Sequence, residues 1–144
     1  MMNKKTEHNN KGFTLIEIVI VVIILTIIAT YAMTNYTRSL NKGTERLAIT
    51  QLQSIHSANA LYKSNANSYL STGGTTWNRT AINNGFNINV VNRDLTMTYV
   101  SADGSAFTGT ATLDSGAVLV VDEIPLGVNN PCCSAGTCLI VPNC

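Results

Sequence analysis

The sequence predicts an α+β fold in which a long N-terminal helix, first membrane-spanning and then amphipathic, packs on a small antiparallel sheet. Three observations predict it. An apolar block from Phe13 to Met33 runs into an amphipathic helical pattern. Short alternating runs bounded by turn residues follow residue 86. Four cysteines within residues 132–144 predict a C-terminal loop held by disulfides. At 144 residues the chain has room for one folded domain.

The apolar block has the length of a transmembrane helix. Its residues, FTLIEIVIVVIILTIIATYAM, would extend about 31 Å as a helix, the thickness of bilayer hydrocarbon. An ordinary secretory signal peptide, cleaved near Ala32, is the alternative, but its apolar region covers only about 7–15 residues. Basic residues before and after the block balance each other, so the charge rule does not choose an orientation.

Glu17 interrupts this block. An ionised side chain at such a position costs about 3 kcal/mol on insertion scales. The carboxylate therefore needs a cationic partner, a proton, or a place at the headgroup boundary.

The run KGFTLIE at residues 11–17, ahead of an unbroken apolar stretch, resembles the prepilin signature of type IV pilins and type II secretion pseudopilins. The resemblance implies that a membrane-embedded prepilin peptidase cuts between Gly12 and Phe13 at the cytoplasmic face. Residues 1–12 would leave as a leader peptide, and the same enzyme would methylate the new Phe13 amine. The resemblance also places residues 34–144 outside the cytoplasm.

Cleavage at this bond creates a positive charge. The free Phe13 α-amine is cationic at neutral pH and lies one helical turn from Glu17. The resemblance implies that Glu17 pairs with the Phe13 amine of a neighbouring copy, which assigns both residues to assembly; an intramolecular pair is the alternative. Type IV pilins often carry Gly and Pro where this chain has Thr26 and Thr34, so the state of its helix in a filament stays open.

The helical period continues through residues 34–63, where apolar residues recur mostly every three, four or seven positions. With no proline between Phe13 and Pro125, the pattern predicts one helix of about 50 residues. Four of its side chains are expected to face the sheet: Leu47, Leu52, Ile55 and Tyr62.

A basic strip recurs every four residues on the same helix: Arg38, Lys42 and Arg46. It predicts contact with anionic lipid heads or with a neighbouring subunit, and a solvated helix face is the alternative. Glu45 is a candidate partner for a neighbouring subunit.

Residues 64–144 comprise a connection, the sheet and the Cys-rich loop. The connection, residues 64–86, is rich in Ser, Thr, Asn and Gly. Within it Trp77 either covers the sheet, which is favoured, or is an exposed contact. Asp103-Gly104 is a hairpin signal between the second and third of four predicted strands: 87–91, 95–101, 106–112 and 117–123.

The four cysteines predict two disulfides. Adjacent cysteines rarely bridge each other, so Cys133–Cys138 with Cys132–Cys144 is favoured over the crossed pairing. A zinc site is the alternative. The spacing lacks two separated CxxC pairs and the compartment expected for the head is oxidising, so no metal is predicted.

Neither an enzyme nor a cofactor is predicted. The sequence contains no GxSxG, Walker or HExxH motif, and His56 stands alone on the polar side of a helix. Without the leader's three Lys and one Glu, six basic and seven acidic residues remain, which argues against direct nucleic-acid binding. A calcium site like those of some pseudopilins would have to use Asp114, Asp122 or Glu123.

The resemblance implies a structural subunit of a type IV pilus-like filament. Its partners would be other copies of the chain, related pilins, the prepilin peptidase and the inner-membrane assembly machinery. Before assembly it would be a single-pass inner-membrane protein with a periplasmic head, and afterwards part of an extracellular pilus, with adhesion and twitching motility as roles. A pseudopilin of a type II secretion or competence system is one alternative. A monomeric receptor, anchored by an intact leader or cleaved near Ala32, is another.

Overall fold

The structure, a computed structural model, describes residues 12–91, 93–127 and 129–144. Seven elements follow one another in these residues: α1 (Leu15–Ala66), β1 (Trp77–Asn78), α2 (Arg79–Phe86), β2 (Leu95–Val100), β3 (Thr108–Leu113), β4 (Val118–Asp122) and β5 (Cys132–Ala135). The chain divides into two compact units, one ending at Thr37 and the other, the head, running from Arg38 to Cys144. The predicted α+β, pilin-like fold is confirmed.

α1 is one helix of 52 residues, close to the predicted length. It ends where Asn67 takes the left-handed conformation, with φ of 57°. The Asn67 N–H donates to the carbonyl of Lys63 at 2.8 Å, which satisfies one of the free carbonyls of the last turn.

The five strands form one antiparallel sheet in sequence order. β2 and β3 pair from Leu95 with Leu113 to Val100 with Thr108, so the predicted hairpin around Asp103-Gly104 is confirmed. Gly104 has φ of 81°, a conformation that costs glycine little. The predicted strands 95–101, 106–112 and 117–123 thus correspond to β2, β3 and β4.

The core lies between α1 and one face of the sheet. Ala48, Leu52 and Ile55 of α1 are fully buried there. A Cβ on Gly109 would lie 2.9 Å from Cγ1 of Val121 and 3.6 Å from Cδ2 of Leu52, so the bare glycine lets helix and sheet approach closely. The strands contribute alternate residues: Leu95, Met97, Tyr99, Ala111, Leu113, Leu119 and Val121.

One of the expected helix contacts is wrong. Tyr62 is exposed rather than packed on the sheet, because α1 passes beyond the core after Asn59 and residues 60–66 all face solvent. Leu47 packs at the edge of the core, as expected for a residue of the sheet-facing stripe.

The predicted strand at 87–91 is also wrong, and residues 64–86 contain the end of α1, β1 and α2 as well as loop. Asn83 explains why no strand forms after α2. Its side chain accepts the N–H of Val90 at 2.7 Å and donates to the Val90 carbonyl at 3.0 Å, so it occupies groups that a neighbouring strand would use. Trp77 packs against the core with its ring 6.0 Å from that of Tyr99, which confirms its covering role.

Candidate functional site

The bond between Gly12 and Phe13 lies just ahead of α1. A Cβ built on Gly12 meets nothing within 4 Å in the part of the chain that is described, and Phe13 is 77% exposed. The rest of the predicted leader, residues 1–11, lies outside the described residues. The described side of this bond is therefore accessible to an enzyme.

Thr14 and Glu17 form a capping box at the start of α1. The N–H and the hydroxyl of Thr14 each lie 3.4 Å from Oε2 of Glu17, and the N–H of Glu17 lies 3.4 Å from Oγ1 of Thr14. Sequence reasoning missed this role, although a Thr followed three residues later by Glu is its signature. At 3.4 Å these bonds are long, so the carboxylate keeps acceptor capacity for a stronger partner.

The first part of α1 exposes its apolar side chains all the way round. Its most apolar 18-residue window has a mean hydropathy of 2.7 and none of it is buried within the described chain. Leu, Ile and Val side chains between Leu15 and Ile28 are 42–83% exposed. An apolar surface of this extent needs cover from lipid or from other protein.

Threonine hydroxyls take the place of the helix breakers that many pilins have. Thr26 donates to the carbonyl of Ile23 at 2.8 Å, and Thr34 donates to that of Tyr31 at 3.0 Å. Thr30 likewise donates to the carbonyl of Thr26 at 2.6 Å. These bonds satisfy the hydroxyls inside an apolar segment, and the helix stays unbroken across them.

The basic strip lies on the first turns of the head. Arg38 and Arg46 are exposed and Lys42 is half-buried. All three cations are thus at the surface of the described head.

Glu45 departs from its prediction. It is 2% exposed, and its Oε2 accepts the N–H of Leu139 at 2.7 Å. Its Oε1 accepts the N–H groups of Ile140 at 2.8 Å and of Val141 at 3.2 Å. The prediction that Glu45 pairs with a neighbouring subunit is therefore wrong, because three consecutive backbone donors of the same chain occupy both oxygens.

Two disulfides close the loop that Glu45 binds. Cys132 is bonded to Cys144 and Cys133 to Cys138, the pairing that the sequence favoured. The Cys133 N–H donates to the Pro142 carbonyl at 2.8 Å, which adds a backbone contact across the loop. All four sulfurs are used in these bonds, so none is a thiolate ligand for zinc.

The fold separates the acidic residues considered for calcium. Asp114 follows β3 at its turn into β4, whereas Asp122 lies at the opposite end of the same strand pair, where it pairs with Thr108. Asp122 Oδ1 accepts the side-chain N–H of Asn130 at 3.0 Å. The structure therefore does not bring together the three acidic residues of the calcium alternative.

His56 has a structural contact. Its Nε2 lies 3.0 Å from the carbonyl of Ile124, and its ring lies 5.8 Å from that of Phe107. The half-buried imidazole thus holds the segment after β4 against α1.

The exposed apolar helix that follows the KGFTLIE-type junction continues into an α+β head, which is a pilin-like fold. Residues 8–33 match the family model described as the prokaryotic N-terminal methylation motif, which is the prepilin signature of type IV pilins and pseudopilins. The signature indicates a structural subunit. No match was found among curated proteins or among solved structures.

Proposed function

We propose that this chain is the precursor of a type IV pilus-like filament subunit, cut between Gly12 and Phe13 and polymerised through residues 13–33. The exposed apolar start of α1, lying within the matched methylation motif, carries the proposal. Lipid covers this surface before assembly, and the same segment of other copies covers it in the filament.

The cut supplies a charge as well as a new end. Hydrolysis of the amide gives Gly12 a carboxylate and Phe13 an ammonium group, and one methyl group on that nitrogen keeps it cationic. Glu17 lies in the first turn of α1, where its long capping-box bonds leave capacity for this cation. Pairing between copies then links filament formation to completed processing.

In this proposal the head lies outside the cytoplasm. Two disulfides within residues 132–144 fit an oxidising compartment. The chain is thus a single-pass inner-membrane protein with a periplasmic head before assembly, and part of an extracellular filament afterwards. Its partners are the prepilin peptidase, the inner-membrane assembly machinery, other copies and related pilins, and the chain itself is not an enzyme.

Mass spectrometry of the mature N-terminus in the protein's own host tests the cut. We expect a chain that begins at Phe13 and carries one added methyl group. Gly12→Val should accumulate as uncut precursor, because the side chain obstructs a peptidase while meeting nothing within 4 Å in the described chain. A mature chain that begins at another residue would refute the proposal.

Deletion of the chain in the same host separates a pilus from a pseudopilus. If the chain is a pilus subunit, its deletion should remove the filaments that can be sheared from the cell surface, together with any adhesion or twitching motility that depends on them. If the chain is a pseudopilin, its deletion should abolish protein secretion or DNA uptake while surface filaments persist. Both outcomes require the same cut before Phe13.

A further inference from the structure

The head part of α1 has a basic flank on one side and borders a cleft with two carboxylates on the other. Glu45 is bonded to the C-terminal loop and marks one direction around the helix. Successive residues of an α-helix are rotated by about 100° around its axis. Lys42 therefore lies about 60° and Arg46 about 100° to one side of Glu45, and Thr44 lies about 100° to the other side. One flank is therefore basic, and the other borders an acidic cleft.

The basic flank consists of Lys42 and Arg46, with Arg38 one turn earlier. A spacing of four residues places successive cations about 6 Å apart along the helix axis. Arg38 and Arg46 are exposed and Lys42 is half-buried, so the row faces outward from the head.

The acidic cleft lies between α1 and the β3–β4 turn and has a volume of about 290 Å³. Asp94 and Asp114 line it and are both exposed, and the Asp114 N–H donates to the Asp94 carbonyl at 3.4 Å. Leu40 and Leu113 line it as well. Such a cleft fits a Lys or Arg side chain, because the methylene groups pack on leucine while the charged end reaches a carboxylate.

Both flanks lie between residues 40 and 46 of α1, within about 9 Å along the helix axis. Two copies placed side by side can therefore bring the basic flank of one to the acidic cleft of the other. A contact between two different surfaces of the same chain is heterologous, and it repeats into an open helical array when the rotation does not close.

We infer that Lys42 and Arg46 of one copy bind the cleft formed by Asp94 and Asp114 in the next copy. The occupant is a second copy of this chain because its cations complement the carboxylates of the cleft. This contact rests on the proposed filament function. It joins heads, whereas Phe13 and Glu17 join the apolar segments.

Charge reversal in the protein's own host tests the contact. Asp114 is the acidic residue to change, because Arg93 precedes Asp94 and offsets its charge. Arg46→Glu and Asp114→Lys should each reduce sheared surface filaments about tenfold, since each brings like charges together. The double variant R46E/D114K should restore them.

Co-expression of the two single variants gives the sharpest result. Glu at position 46 of one chain then faces Lys at position 114 of the other, and the unchanged flanks complement each other as well. Filaments should return to near the wild-type amount, although each variant alone yields about tenfold fewer. A pair made inside one chain would not be rescued in this way.

Glu123→Lys is the matched control, because it makes the same charge change at an exposed residue outside the cleft. Its filaments should stay within about twofold of wild type. Accumulation of full-length variant with both disulfides intact excludes misfolding. Asp114→Asn, which keeps the side-chain size, replaces D114K if the latter does not accumulate and should give a smaller loss.

Four results would overturn the contact. Normal filaments from both single variants would refute it and leave the proposed function standing. Fewer filaments from R46E but a normal amount from D114K would assign the basic flank to another partner, such as anionic lipid. Losses in both that co-expression does not rescue would show that the residues do not meet between copies. If the wild-type chain forms no filaments, the proposed function fails, and the contact fails with it.

Discussion

The carboxylate of Glu45 accepts a hydrogen bond from the backbone N–H of Leu139 at 2.7 Å, across 94 positions of sequence. Further bonds from Ile140 and Val141 complete the site, and two disulfides close the same loop. The helix and the C-terminal loop of the head are therefore joined by one buried side chain.

Glu45→Ala should destabilise the head by about 3 kcal/mol, because it leaves three backbone N–H groups without their acceptor. The midpoint of thermal unfolding of the full chain in detergent should fall by about 10 °C, measured by circular dichroism. Glu123→Ala is the control, since it removes an exposed carboxylate and should change stability by less than about 0.5 kcal/mol. Equal midpoints for the two variants would contradict the role of Glu45.

Tyr99 connects α1 to the segment before β1. Its hydroxyl accepts the side-chain N–H of Asn59 at 2.9 Å and donates to the Leu70 carbonyl at 2.8 Å. Burial raises the pKa of Tyr99 from 10.0 to about 12, against the hydrogen bond from Asn59, which lowers it.

Stability should therefore fall as the pH rises from 10.0 towards about 12. Over that range the unfolded chain has lost the Tyr99 proton while the folded chain still holds it. The contribution of Tyr99 to stability is therefore complete below its pKa in the unfolded chain and is lost as the pH rises above it. The loss should reach about 2 kcal/mol in urea unfolding experiments. Tyr99→Phe should abolish this part of the decrease of stability with pH, whereas Tyr62→Phe, at an exposed site, should keep it. Identical slopes in the two variants would show that Tyr99 is not the group responsible.

The two disulfides should differ in how much they contribute to the free energy of unfolding. Cys132–Cys144 spans 12 positions and Cys133–Cys138 spans 5, so the chain-entropy estimate gives about 3 and about 2 kcal/mol. We expect C132S/C144S to unfold more easily than C133S/C138S. C132S/C138S should be less stable than either, because it breaks both bonds. If that third variant instead kept an intact disulfide, the crossed pairing would be the correct one.

Glu17→Gln distinguishes the capping role of Glu17 from the role of its negative charge. Glutamine also serves at this position of a capping box but carries no charge. We expect the variant to be cut after Gly12 and to yield about tenfold fewer sheared filaments, because the Phe13 amine then lacks its anion. Thr14→Ser, which keeps both the capping oxygen and the carboxylate, should behave as wild type. Normal filaments from E17Q would limit Glu17 to capping.

The elements that the sequence predicts correctly have strong local patterns. The apolar block and the helical period that follows it predict the 52 residues of α1, and β2, β3 and β4 alternate between buried and outward residues. The segment at 87–91 has β-branched residues but no strand, because Asn83 bonds both backbone groups of Val90. β5 lies in a stretch that its cysteines mark as a loop, and α2 has only eight residues. Short elements such as these depend on tertiary contacts.

The candidate site has a part that is local in sequence and a part that is not. Gly12, Phe13 and Glu17 are close in sequence, so their spacing alone indicates processing chemistry. Glu45 depends on a loop 94 positions away, and no local pattern gives its partner. The cleft at Asp94 and Asp114 likewise forms only when the β3–β4 turn meets α1.

Glu45 recognises the main chain of its loop, and every amino acid except proline supplies the N–H group that it binds. The Ile140 side chain takes no part in that bond and is 42% exposed. Mutation and selection can therefore vary this surface position widely, proline excepted, while the path of the loop is retained. Related lineages can differ in what this patch displays and still share the same architecture.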